Sequence, residues 1–424
     1  MQHKIDSNSL FAQIGPQAEP MTSAIEACVH CGFCLPVCPT YKVLKQEVDS
    51  PRGRILLMKS VLEGDISIQD VVPYIDHCLG CLSCVSICPS GVKYEELISP
   101  FKAYARNKVR HSVVSKIQQG MVKKTFPYPD RFRFVVKAGK LVKPLRKVFP
   151  PKIRGMLSLL PDRLPNSVPL PALYPAEGKR RARVALLTGC VQQVLMPGIN
   201  WATLRVLARN GVEVIIPEDQ VCCGAIFQHT GDIQEAHRLA RKNLRAFSID
   251  VDAVLTNAAG CGSGMKEYPF LFKGMAEEEV STDFANKVQD VSEFLIKLGM
   301  KETQGFPLNL KVVYHDACHL AHAQGITQSP RQLLTSIPNL SLLESQEREI
   351  CCGSAGTYNI DQPDIAQELG ARKIDHLVKT GAEMVATGNV GCMVQIESNL
   401  KANRIPMLVY HTFEILDLAY SYSK

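Results

Sequence analysis

The 424-residue chain is 46% hydrophobic and 21% charged, an ordinary globular composition that excludes a disordered or fibrous protein and leaves room for two to four domains at roughly 100–200 residues each. Its sixteen cysteines are the anomaly: Met1 to Pro20 has no apolar leader core, so a reducing, cytoplasmic setting and metal are expected rather than disulfides. The net charge of +7 is unevenly spread, and no run of the roughly 20 apolar residues that a membrane span needs is present, so any membrane contact is expected to be peripheral.

The first region, residues 1–112, carries Cys28, Cys31, Cys34, Cys38 and Pro39, a C-x2-C-x2-C-x3-C-P run, and repeats it as Cys78, Cys81, Cys84, Cys88 and Pro89. This is the spacing of two-cluster ferredoxins, in which three thiolates of one loop face one cubane and the fourth cysteine of each run serves the other. One 4Fe-4S cluster is therefore expected on Cys28, Cys31, Cys34 and Cys88, and a second on Cys78, Cys81, Cys84 and Cys38. Two structural zinc sites are the alternative, but zinc ribbons lack the doubled, Pro-ended run. Between the runs, Ser50 can cap a helix that starts at Pro51 and stops at Gly64. A mainly helical two-cluster ferredoxin domain follows, with Arg52 and Arg54 expected to face solvent or a partner.

Residues 113–178 form the next segment. Phe101 to Gly155 holds a local charge of +15, against −8 for the remainder, and ten of the 26 prolines fall between Pro127 and Pro175. That composition suits either a docking surface for anionic lipid headgroups or an acidic partner, or a solvated, semi-rigid connector. No helix-turn-helix or zinc-finger pattern points to nucleic acid.

Two similar halves complete the chain, residues 179–305 and 306–424. The first reads as strand Arg183 to Thr188, Cys190, a helix from about Met196 to Asn210, strand Val212 to Ile216, Cys222-Cys223-Gly224, helix Ile233 to Phe247, strand Ala253 to Asn257 and Cys261. The second reads as strand Lys311 to Tyr314, Cys318, strand Leu340 to Leu343, Cys351-Cys352-Gly353, helix Pro363 to Val378, strand Met384 to Thr387 and Cys392. Cysteine intervals of 32 and 38 residues recur as 33 and 40, an internal repeat. Strands alternating with helices predict parallel sheets, whose ligands gather at the carboxyl ends of the strands. Each half thus brings four thiols to one edge: Cys190, Cys222, Cys223 and Cys261, then Cys318, Cys351, Cys352 and Cys392. A vicinal disulfide or isolated buried thiols are the plain alternatives; soft thiolates in a reducing compartment favour one or two further iron-sulfur clusters, or zinc. His315, His319 and His322 flank Cys318 and could ligate metal or relay protons to a quinone, but the plainer reading, that they cap the strand end, is preferred; His30, His77, His229 and His411 receive no role. No G-x-G-x-x-G, P-loop or G-x-S-x-G element occurs, and no catalytic residue is assigned.

At Cys28-Val29-His30-Cys31-Gly32-Phe33-Cys34, Pro51-Arg52-Gly53-Arg54-Ile55, Cys88-Pro89-Ser90-Gly91-Val92, Cys222-Cys223-Gly224-Ala225 and Cys351-Cys352-Gly353-Ser354-Ala355-Gly356-Thr357-Tyr358, the sequence resembles the iron-sulfur subunit of bacterial glycolate oxidase (glycolate dehydrogenase), over nearly its whole length. The resemblance implies an α+β multidomain chain within an oxidoreductase complex. Separate FAD-binding subunits would oxidise glycolate to glyoxylate, and this chain would pass electrons toward a quinone-type acceptor at the inner face of the membrane. Iron-sulfur subunits of lactate or anaerobic glycerol-3-phosphate dehydrogenases, and heterodisulfide-reductase-like catalytic subunits, share the elements. In the last group each Cys-Cys-Gly domain closes with C-x2-C; here the matching positions are Gly264 and Gln395, which weakens the disulfide-cleaving alternative. A zinc-organised binding protein is a reading of a different class.

Overall fold

The computed structural model describes residues 7–109, 112–149, 151–166 and 168–422; residues 1–6 and the basic Arg110 lie outside them. The first region is helical. Helices Ala18–Glu26, Pro51–Glu63, Ile68–Asp76 and Glu95–Lys108 pack around Met21, Ile25, Met58, Ile75, Leu97 and Phe101. Ser50 Oγ accepts the Gly53 amide at 3.1 Å, Pro51 opens the Pro51–Glu63 helix, and Gly64 ends it with φ +84°, the left-handed turn in which glycine is unstrained.

Two parallel sheets follow. The first contains β1 (Leu173–Tyr174), β2 (Ala182–Leu187), β3 (Val212–Ile215), β4 (Ala253–Thr256) and β5 (Val288–Asp290) in the order β1-β3-β2-β4-β5. Only β1 runs antiparallel. The second contains β6 (Leu310–Tyr314), β7 (Leu340–Leu343), β8 (Met384–Thr387) and β9 (Leu408–His411) in the order β7-β6-β8-β9. The central strands match the sequence expectation to within a residue or two, whereas β1 and β5 are too short to have shown a pattern and β9, as long as β7 and β8, lies past the last cysteine of the repeat and was not anticipated. Both sheets share one apolar core, in which Val184, Leu186 and Val214 of the first meet Val312, Tyr314, Phe413 and Leu416 of the second unit. Fully burying such side chains is worth about 1.5–3 kcal/mol each. The two halves therefore stand back to back, and Arg205 clamps Asp417 across the seam.

The segment read as a semi-rigid connector is largely helical instead: Val113–Thr125, Pro129–Val142, a 3-10 turn Lys143–Val148 and Pro151–Ser158. Its prolines explain why the composition misled. Pro129, Pro144 and Pro151 sit in first turns, where the missing amide costs nothing and the fixed φ suits the helix. The belt is anchored on both halves: Phe132 and Val136 pack on Val194, Lys123 pairs with Asp232 at 3.2 Å, and Gln118 donates to Asp361 at 2.6 Å.

The helical first region touches the first half, where Arg106 pairs with Asp232 at 3.5 Å, and also seats on the second half, the part of the chain farthest from it in sequence. Tyr358 donates its hydroxyl to the His77 carbonyl at 2.9 Å, Ser86 Oγ lies 2.7 Å from His322 Nδ1, and Lys42 pairs with Glu347 at 2.7 Å. Hydrogen bonds from Arg372 and then Lys42 hold the Glu347 carboxyl down at about 2. A depressed carboxyl stabilises the fold above its ordinary value and loses that contribution as pH falls through the folded value. Glu347→Gln should therefore lower the urea midpoint at neutral pH. The gap from the parent chain should persist down to about 4.5 and close between there and about 2, measured by denaturation at a series of pH values.

Candidate functional site

The cysteines fall into four groups strung through the molecule. Cys28, Cys31, Cys34 and Cys88 line one pocket near the surface with Gly32, Phe33 and Arg52, and Cys84 of the second run reaches the same pocket. Arg52 donates through Nη1 to the His30 carbonyl at 2.9 Å and lies over Gly32, where an added Cβ would stand 2.9 Å from that nitrogen at φ +86°. Glycine is required there because the loop must curl its thiols inward beneath a guanidinium. Burial raises the Cys28 thiol, with Cys88 and Cys31 as the charged neighbours, and pushes Cys34 up to about 11.

The second group is deeper. Cys84 is raised by burial and then by Cys81, Cys78 and Cys38, so Cys38 of the first run lies among the cysteines of the second. Cys81 is pushed up to about 12, first by burial and next by Cys318 of the second half. Arg54, expected at the surface, is instead only 1% exposed. It donates to the Tyr74 carbonyl at 2.7 Å, Thr40 Oγ1 at 3.0 Å and Asp49 at 3.2 Å, and holds Nη1 4.0 Å from Cys38 Sγ. His77 Nδ1 meets the same Asp49 at 2.8 Å. A buried cation needs such a set of acceptors, and this one places its positive charge beside thiols that must ionise to bind metal.

In the halves, each cysteine stands past the carboxyl end of a parallel strand. Cys190 follows β2, Cys222 and Cys223 follow β3, and Cys261 rides on the Ala259–Lys266 helix after β4. Cys190 and Cys222 approach to 3.4 Å. Hydrogen bonds from Cys222 and Cys261 lower Cys223, while its neighbours' thiols and burial raise Cys222 and Cys261. Cys318 follows β6, Cys351 and Cys352 follow β7, and Cys392 lies on the Val390–Ala402 helix after β8. The same chain of thiol contacts runs Cys318 to Cys351 to Cys352 to Cys392. Gly224 and Gly353 have φ +86° and +88°, and a Cβ on Gly353 would meet the Ala366 carbonyl oxygen at 2.7 Å. All sixteen cysteines are free in the structure.

Four soft donors converging in each half fit an iron-sulfur group; thiolate clusters select such metals. Gly264 and Gln395 add no sulfur, for packing reasons. A Cβ at Gly264 would stand 2.5 Å from the Ala225 Cβ, and Gln395 is held by the Ala366 carbonyl at 3.3 Å and Asn359 at 3.1 Å.

Histidines read as structural or left without a role join these groups. His319 has Nδ1 3.5 Å from Cys318 Sγ and stacks on His229 of the first half, ring centroids 5.2 Å apart. His229 in turn faces Glu267 at 3.5 Å and neighbours Cys223. His315 is buried next to Cys352 and Cys392. The H-x-x-C-H string around Cys318 was the available signal, and only the fold shows what it faces.

Residues 24–92 match the 4Fe-4S dicluster domain family, and residues 184–266 and 312–397 match the cysteine-rich domain family. The chain is 36% identical over 394 residues to a probable glycolate oxidase iron-sulfur subunit of Bacillus subtilis, covering 88% of each. It is 33% identical over 408 residues to the glycolate oxidase iron-sulfur subunit of Escherichia coli, covering 94% of each. Lactate utilization protein A of Oceanobacillus iheyensis is 31% identical over 236 residues, 55% of this chain and 96% of that protein.

The tight contact at Gly264 makes a specific expectation. Gly264→Cys should destabilise the first half by about 1–3 kcal/mol through overpacking, read as a fall in the thermal midpoint. Adding Ala225→Gly should recover most of the loss.

Proposed function

The chain belongs to the family of glycolate oxidase iron-sulfur subunits, and on that premise we propose that it conducts electrons from FAD-binding partner subunits, which oxidise glycolate to glyoxylate, toward a quinone-type acceptor. The observation that carries this reading is the seating of Cys81 in one buried apolar cluster with Cys318 and Cys351. It makes the second cysteine group of the dicluster region and the cysteines of the second half next neighbours.

Cys28, Cys31, Cys34 and Cys88 would hold one 4Fe-4S cluster, and Cys78, Cys81, Cys84 and Cys38 the other. Cys318, Cys351, Cys352 and Cys392, with Cys190, Cys222, Cys223 and Cys261, would hold further iron-sulfur groups. Bound there, such groups supply one-electron transfer, whereas the two-electron oxidation of an alcohol belongs to a flavin. The protein's own work is to hold thiolates in register, keep water away and set local charge. Arg54 does the last for the Cys38 group. The Cys28 group opens to the surface beside Val29 and Phe33, the latter 59% exposed. Such an apolar rim beside a redox site suits a flavin subunit docking at that end.

The helical belt gives a second surface. Val113, Ile117, Phe134, Leu141 and Val148 are exposed on it among exposed Lys116, Lys137 and Arg146. This pairing of apolar and basic side chains fits peripheral binding to an anionic cytoplasmic membrane face. No helix among the described residues is long and apolar enough to cross a membrane.

The native complex, co-purified through this chain and given glycolate, D-lactate or glycerol 3-phosphate, should reduce a quinone analogue fastest with glycolate. The chain alone, free of flavin, should oxidise none of them. Preference for lactate would instead place the complex with the lactate utilization relatives, and turnover by the chain alone would end the electron-conduit reading. For the belt, Lys116→Gln, Lys137→Gln and Arg146→Gln together should weaken binding to anionic vesicles by roughly 1 kcal/mol per cation. Binding of the unaltered chain should fall as salt shortens the Debye length below about 8 Å; sedimentation with vesicles at rising salt checks both.

A further inference from the structure

The two halves repeat their cysteines but not their surroundings. Counting back three residues from the first cysteine of each half gives Leu187 before Cys190 and His315 before Cys318. Leu187 ends β2 and packs in the apolar core beside Cys222 and Cys223. His315 occupies the matching place after β6, its amide bonded to the Ala386 carbonyl at 2.9 Å. It is 1% exposed, and neither Nδ1 nor Nε2 has a hydrogen-bond partner.

A buried imidazole without a partner is costly, and the neighbouring groups do not relieve it. Asp316 is fully engaged by Arg331, at 2.8 and 2.7 Å, and Lys373 donates to the carbonyls of Glu347 and Arg348. What His315 does face is sulfur: its ligating nitrogen and the thiols of Cys352 and Cys392 all lie within 4.8 Å of one another. Bond lengths of about 2.0–2.3 Å to nitrogen and sulfur set ligands of one tetrahedral metal roughly 3.5 Å apart, so a small closure brings the three onto one ion. Asn389 Nδ2 donates to Cys392 Sγ at 3.4 Å, an outer contact of the kind that orients metal ligands.

We propose that His315 is a ligand to iron of the iron-sulfur centre in the second half, giving that half a mixed nitrogen and sulfur coordination that the first, with Leu187, does not have. The proposal rests on the reading that the second half holds such a centre. A neutral imidazole adds no negative charge to the four thiolates, whereas a cysteine at the same place would add a fifth, and centres in which histidines stand for cysteines lie at higher potential. The half that carries this nitrogen is the one seated against Cys81.

The test uses the full chain in its native complex, purified anaerobically from cells grown with either ordinary or 15N-labelled histidine. Pulsed EPR of the reduced protein should show a nitrogen hyperfine coupling that changes with the label, vanishes in His315→Leu and survives in His319→Gln. His315→Cys should keep the iron and lower the midpoint potential of one centre. Absence of any label-sensitive coupling in the unaltered protein, or a coupling that survives in His315→Leu, overturns the assignment even where a variant folds poorly. Iron and sulfide content unchanged in Cys351→Ser, Cys352→Ser would instead remove the second-half centre itself, and the ligand assignment with it.

Discussion

A thiol binds iron only as a thiolate, and a thiolate buried among other thiols is expensive to make. Burial and neighbouring sulfur drive nearly every resolved cysteine upward here, Cys81 to about 12 and Cys34 to about 11. Without a cation in their midst, such groups stay protonated and hold one another only by weak contacts. Metal binding reverses the sign of that interaction and couples to folding, because the ligands converge only in the folded chain. The fold is best understood as the means of forcing this convergence. Short loops with left-handed glycines do it in the dicluster region, and parallel strand ends do it in the two halves.

Local charge then separates groups that would otherwise be alike. The Cys38 group sits against a buried guanidinium held by Asp49, Thr40 and Tyr74. The first half has Leu187 where the second has His315, and the His229–His319 stack joins the two at their seam. An internal duplication thus supplies two scaffolds of one shape, and a few side chains around each decide what the sulfur experiences.

Much of this was legible in the sequence because ligand spacing is a local property. The doubled run, the Cys-Cys-Gly repeats, and the cap and stop at Ser50 and Gly64 need no knowledge of distant residues. The burial of Arg54 was not legible, because its partners Thr40, Asp49 and Tyr74 come from three other segments. The connector misled because basic residues and prolines were counted without their positions; three of those prolines begin helices or turns. Strands β1 and β5 have too few residues to show alternation, and β9 lies past the cysteine repeat that marked its equally long neighbours. The roles of His315, His319 and His229 depend on which half faces which, and no periodicity encodes that.

The seating of the first region on the last has a consequence for biogenesis. A ribosome delivers the dicluster region long before the strands and loops that carry Cys318, Glu347 and Tyr358, and domains tend to fold in the order they emerge. Until the final stretch of chain is made, the Cys81 side of the nascent protein stays open to solvent and to oxidants. It is equally open to whatever machinery delivers iron and sulfide. The second half is thus a cover that arrives late, and the Cys81 group lies behind residues made long after it.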